Sequence, residues 1–178
     1  MKIRQCGLTL VDFAVSVIIA LILLGIFVNR MQFYQEQAEK TAMEGMAATL
    51  ASAFSLQYGQ LMTRGKPGDA VALKNANPMN WLTEKPKNYL GEFFDPAAGR
   101  IEAGNWFFDL KSRELIYVVR NAAHFKVDQT GLARVRFHVA ASERLLSAAG
   151  STGLKFKVVE PYEWFSAAVP IAVLEKGL

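Results

Sequence analysis

Hydrophobic positions along this chain follow three patterns. From Leu8 to Val28 they form one run, LTLVDFAVSVIIALILLGIFV, in which Asp12 is the sole charge. A helix of that length reaches roughly 30 Å, the hydrocarbon thickness of a bilayer. A globular core helix carries a polar face, and this run has none. Further on, Met43, Met46, Ala47, Leu50, Phe54, Tyr58 and Leu61 recur at helical spacing, within about 60° of one line at 100° per residue. Thr49 and Ser52 lie opposite, and Leu56 lies off the stripe. The stretch from Gln35 to Lys40 shows little apolar face and is expected to be wetter. Since residues 29–64 contain no proline, the pattern predicts one continuous helix that Gly65-Lys66-Pro67-Gly68 ends.

The third pattern alternates. Trp106 to Leu110 and Glu114 to Arg120 flank a short turn, Lys111 to Arg113, and predict a hairpin. In Leu132 to Val139, Ala133, Val135, Phe137 and Val139 fall on one face, with Arg134, Arg136 and His138 on the other. Leu154 to Glu160 alternates likewise, with Lys155 and Lys157 on its polar face. Between helix and strands, Asp69 to Leu82 predicts a short helix interrupted at Asn77-Pro78. Lys85 to Gly91 and Asp95-Pro96 have the composition of irregular loop. A sheet with one apolar face needs a cover, and the amphipathic half of the long helix supplies it. The predicted fold is α+β: a long N-terminal helix packed on a four-stranded antiparallel sheet. Its parts are a leader (1–7), a transmembrane span (8–28), an amphipathic continuation (29–64) and a headpiece (65–178). The apolar tail with Tyr162, Trp164, Phe165 and Val169 is expected to pack on that headpiece.

Composition narrows the chemistry. The chain has 178 residues, a formal net charge of +4, 52% hydrophobic and 20% charged residues. That length suits one domain, and the balance excludes disordered, collagen-like and coiled-coil chains. The single cysteine, Cys6, excludes an intrachain disulfide and a Cys₄ or Cys₂His₂ zinc site. His124 and His138 leave little for imidazole catalysis, and His138 is expected to be an exposed surface residue. No phosphate loop, HExxH or GxSxG motif is present. Glu92, Asp95, Glu102 and Asp128 are scattered, which predicts no metal site and no cofactor. If the strands carrying Arg134, Arg136, Lys155 and Lys157 are neighbours, four cations share one sheet face. Such a face is either ordinary solvated surface or a site for DNA.

The N-terminus combines three features. MKIRQCG carries Lys2 and Arg4 and no acid, which by the positive-inside rule keeps this end cytoplasmic and places the rest outside. No small-x-small cleavage site follows Val28; the next residues are Asn29, Arg30 and Met31. A carboxylate in an apolar span costs about 2.5–3.5 kcal/mol at the centre and less near the end, so Asp12 calls for a partner or a place at the headgroups.

The segment Gly7, Leu8, Thr9, Leu10, Val11, Asp12, Phe13 after a short basic leader resembles the class III signal of type IV prepilins and type II secretion pseudopilins. The resemblance implies cleavage between Gly7 and Leu8 by a prepilin peptidase, followed by methylation of the Leu8 amine. Cys6 would leave with the leader. It implies a lollipop-shaped subunit stored in a bacterial inner membrane, with other pilin or pseudopilin subunits, an assembly platform and the lipid bilayer as partners. Asp12 stands where the family usually has glutamate and would neutralise the Leu8 amine within a filament. Asn29 stands where many true pilins have proline. Asn88-Tyr89-Leu90-Gly91 followed by Gly104-Asn105-Trp106 also resembles the connecting region of some pilin-like headpieces. The implied function is a non-enzymatic, minor filament subunit. The alternatives are a membrane-anchored periplasmic domain that never polymerises and a DNA-binding pilus-tip subunit.

Overall fold

A computed structural model describes residues 10–65, 69–97, 99–127, 131–142 and 153–165. Helix α1 runs unbroken from Leu10 to Thr63, 54 residues or about 80 Å. It closes on Gly65, whose φ of 68° permits the left-handed turn beyond the last helical carbonyls. A short helix α2, Ala70–Asn75, and a 3₁₀ turn, Pro78–Trp81, follow. Asn77 caps that turn, accepting from Met79 N at 3.0 Å. Its amide donates to Tyr89 Oη and Glu92 Oε1, which ties the turn to the sheet.

The sheet has five strands in sequence order: β1 Tyr89–Phe93, β2 Trp106–Asp109, β3 Glu114–Val118, β4 Arg134–Ser142 and β5 Gly153–Val158. Strands β2 to β5 are antiparallel, at the positions the alternation predicts. Strand β1 lies in the segment expected as irregular loop, and it pairs parallel to β2. The sheet is therefore mixed and five-stranded, where a four-stranded antiparallel one was expected. Gly91 explains the difference. Its φ of 108° and the register shift between Tyr89 and Glu92 mark a bulge, so β1 lacks clean alternation. Residues 94–105 supply the crossover that a parallel pair requires.

The core lies between α1 and one face of the sheet. Met43, Leu50 and Phe54 of the helical stripe are buried with Trp106, Phe108, Leu115, Tyr117, Val135, Phe137, Val139 and Phe156. Met46, Ala47 and Tyr58 pack at the margin, while Leu56 is exposed. Phe54 meets Trp81 at 5.3 Å between centroids, and Phe137 stacks on Phe156 at 5.6 Å. Tyr162, Trp164 and Phe165 pack on the same core as expected; Val169 lies outside the described residues. On the opposite face of the sheet, Phe107 and Ile116 are also buried.

Candidate functional site

The first half of α1 stands clear of the protein. From Leu10 to Val28 every side chain is exposed, including Asp12. Near the N-terminus this is the one helix among the described residues long and apolar enough to cross a membrane. Within it, Ser16 Oγ donates to the Asp12 carbonyl at 2.8 Å, which satisfies a hydroxyl that would be unpaired in lipid. The leader, Gly7 and Leu8 lie outside the described residues.

Where the helix meets the headpiece, two acids fasten it. The sequence expects Gln35 to Lys40 to be wet, yet Glu36 is 1% exposed. Glu36 Oε1 accepts from His124 N at 2.8 Å and from the Trp164 indole at 3.0 Å; its Oε2 lies 2.7 Å from His124 Nδ1. Burial pushes the Glu36 carboxyl up, but the His124 and Trp164 contacts outweigh it and hold the group below the usual carboxylate range. Glu39 accepts four bonds: Tyr117 Oη at 2.9 Å and Arg120 N at 2.6 Å on Oε1, Asn121 N at 2.8 Å and Asn121 Nδ2 at 2.7 Å on Oε2. Burial, and then the Glu39 carboxylate, push the Tyr117 phenol pKa up. Lys40 Nζ donates to the Trp164 carbonyl at 3.2 Å, and Glu44 accepts from Tyr162 Oη at 3.0 Å. Two distant loops, 120–125 and 162–165, are thus clasped to about 2.5 turns of one helix, Glu36 to Glu44.

A signal for this clasp was present. Glu36, Met43 and Leu50 are spaced by seven, so the apolar stripe extended backward passes through Glu36. Charge on such a face ordinarily signals solvation, whereas here it marks polar partners inside the protein.

The basic residues do come together. Strands β4 and β5 are paired, with His138 opposite Lys157 and Ala140 opposite Lys155, so Arg134, Arg136, Lys155 and Lys157 share the face away from α1. That face is not purely cationic. Arg136 lies 2.9 Å from Glu160 and 3.5 Å from Glu114. Nor is His138 simply exposed: its Nε2 is buried without a hydrogen-bond partner. Burial pushes the imidazole pKa down, and Lys157, Lys74 and Arg136 add to this against Glu114. His138 alternates with the core residues of β4, but a burial gradient across the outer face is invisible to alternation.

Asp109, at the end of β2, is a structural hub. It accepts from Asp95 N, Lys111 N and Ser112 Oγ at 2.9–3.1 Å. Burial raises its carboxyl and these donors outweigh that, leaving it below the usual range. They shape the β2–β3 turn and the start of the crossover. Among the described residues no three His, Asp or Glu side chains gather as metal ligands would. The chain matches no family model, no curated protein and no solved structure.

Proposed function

We propose that this chain is a prepilin-like subunit, stored in a membrane by its N-terminal span and assembled into a type IV pilus or type II secretion pseudopilus filament. The observation that carries the proposal is the continuity of α1. One continuous helix has a fully exposed apolar half and a half that is clasped and packed into a headpiece. An apolar surface of that size needs lipid or other apolar helices around it. A flexible anchor would serve tethering alone; a continuous helix also fixes the headpiece relative to the buried half, which a helical filament requires.

In this mechanism a prepilin peptidase cuts between Gly7 and Leu8, and the new Leu8 amine is methylated. On extraction from the bilayer, apolar helices bundle in the filament core and protein contacts replace lipid contacts. Asp12 neutralises a buried N-terminal amine and so sets register. A DNA-binding role at the pilus tip draws less support, since Glu114 and Glu160 engage Arg136 at the centre of the basic face.

Variants at Asp12 test the proposal. Asp12→Ala is expected to insert in the membrane and to be cut normally, since it removes a charge that is unfavourable in lipid. Its recovery in sheared filaments should fall about tenfold or more, because an unpaired buried cation is strongly unfavourable. Asp12→Glu should restore recovery. Equal recovery of all three chains in filaments would remove the pairing role, and absence of wild-type chain from any filament would remove the proposed function.

A further inference from the structure

The end of the headpiece nearest the apolar half of α1 has a composition of its own. Phe33 lies five residues beyond Val28, about 7.5 Å along the axis. Helical side chains lean toward the N-terminus, so its ring reaches back toward the span. Phe33 packs edge-on against Tyr34, His124 and Phe165, at 5.9, 5.9 and 5.3 Å between centroids. His124 stacks on Phe165 at 5.3 Å. The cluster is partly open: Tyr34 is 63% exposed and the His124 side chain 52%. Phe165 holds a left-handed backbone, φ 59°, that a bulky side chain adopts only when its surroundings impose it. Here they are the bond from Phe165 N to the His124 carbonyl and Lys40 Nζ at 5.8 Å from the ring.

Charge around this end is slightly positive. Residues 30–40, 120–127 and 162–165 contain three acids, Glu36, Glu39 and Glu163, against Arg30, Lys40, Arg120 and Lys126. Glu36 is buried, and Glu39 is engaged by four donors from the headpiece. Both of these acids are therefore occupied by protein, and the exposed Glu163 is matched by Lys126 at 3.3 Å, which leaves the aromatic rings and Arg30 as the unbalanced exposed surface. Arg30 is exposed one turn before Phe33 on the same side of the helix.

We infer that this end of the headpiece is a lipid-contact surface, seated in the phospholipid headgroup layer of the leaflet at the Val28 end of the span. The headgroup layer is about 5–8 Å deep on each side of the hydrocarbon, which matches the axial position of Phe33. Aromatic rings with a polar or cationic neighbour favour that layer, and cations meet lipid phosphates there. The headpiece would then rest on the membrane, held at a fixed depth, until extraction lifts it off. The inference rests on α1 spanning a bilayer, not on polymerisation.

Spin labels on the full chain test it. In a Cys6→Ser background, single cysteines are placed at Ala123, beside His124, at Ile18 within the span, and at Leu56. Leu56 is exposed about 42 Å along α1 from Val28, well beyond any headgroup. Chains are reconstituted one per phospholipid nanodisc, so lipid is the only available cover. Collision with a water-soluble nickel chelate and with oxygen is then measured. Ala123 should collide with nickel several-fold less than Leu56 and should be less oxygen-rich than Ile18. An oxygen-rich Ile18 with Ala123 as open to nickel as Leu56 overturns the lipid contact and leaves the span standing. A nickel-accessible Ile18 overturns both. Neither result bears on filament assembly, which the Asp12 variants test separately.

Discussion

The indole of Trp164 donates to Glu36 Oε1 at 3.0 Å, joining residues 128 apart in sequence inside the protein. That bond connects the part of α1 just beyond its exposed apolar half to the last described segment of the chain. A bridge Phe125–Trp164 and the edge contact between their rings at 5.2 Å place the same indole in the core. The helix is thus held to its headpiece by a buried polar contact as well as by the apolar stripe further along.

Replacing Glu36 should reveal that hold. Glu36→Ala leaves the Trp164 indole and the His124 amide without their acceptor, and should destabilise the headpiece by about 3 kcal/mol. Glu36→Gln keeps one acceptor oxygen and should lose about half as much, since hydrogen bonds to a charged group are the stronger ones. Thermal and urea unfolding of the three chains would show the order wild type, Gln, Ala. Equal stability of all three would mean that the clasp contributes nothing.

Acid should weaken the same hold. The Glu36 and Asp109 carboxyls are depressed in the folded chain below ordinary values of 4.5 and 3.8. A depressed carboxyl contributes stability that is fully present above its unfolded pKa and is lost as pH falls through its folded pKa. Stability should therefore hold steady on this account down to about pH 5 and decline below that. The gap between wild type and Glu36→Gln should narrow on the acid side. A gap that stays constant from pH 7 to pH 3 would contradict the assignment of charge to Glu36.

Much of this arrangement is legible in the sequence because periodicity reports burial. The stripe through Met43, Leu50 and Phe54 and the alternation through Val135, Phe137 and Val139 each name the face that becomes core. Strand β1 escapes because Gly91 bends it out of the β region and leaves no period to read. The clasp escapes because an acid on an apolar face looks like solvent exposure until its donors are known, and those donors lie about 80 to 130 residues away. Strand pairing puts the four cations on one face, but Glu114 and Glu160 come with them, and their approach follows from strand pairing and a turn that alternation does not encode. Gly7 and Leu8 are legible only as a motif, and they lie outside the described residues.

Gly104 provides a local test of the connecting region. Its φ is 87°, and a Cβ there would sit 2.5 Å from Arg120 Nη2. The guanidinium covers it while donating to the Ala103 carbonyl from Nε and Nη2, each at 3.2 Å. Gly104→Ala should destabilise the headpiece by about 1–2 kcal/mol from the left-handed backbone, plus the displaced Arg120 contacts. Gly104→Ala should cost less in an Arg120→Ala background than it does alone, because the side chain it would clash with is already gone. Strict additivity in urea titrations would separate the two residues.

The headpiece should fold without the span. A chain beginning at Arg30 keeps the clasp, the stripe and all five strands and contains no cysteine. It should be soluble, show mixed helix and strand by circular dichroism, and unfold at the same temperature with or without reductant. An aggregated or purely helical product would contradict a headpiece held together independently of the membrane.

The central claim is that this chain is processed and built into a filament, and the mass of its N-terminus in sheared filaments from its own host tests that most directly. Mature protein should begin at Leu8, carry one methyl group on its amine, and lack Cys6. Replacing Gly7 with a bulky residue should leave uncut precursor in the membrane. Filament material whose chain retains an intact Met1 terminus would contradict the account.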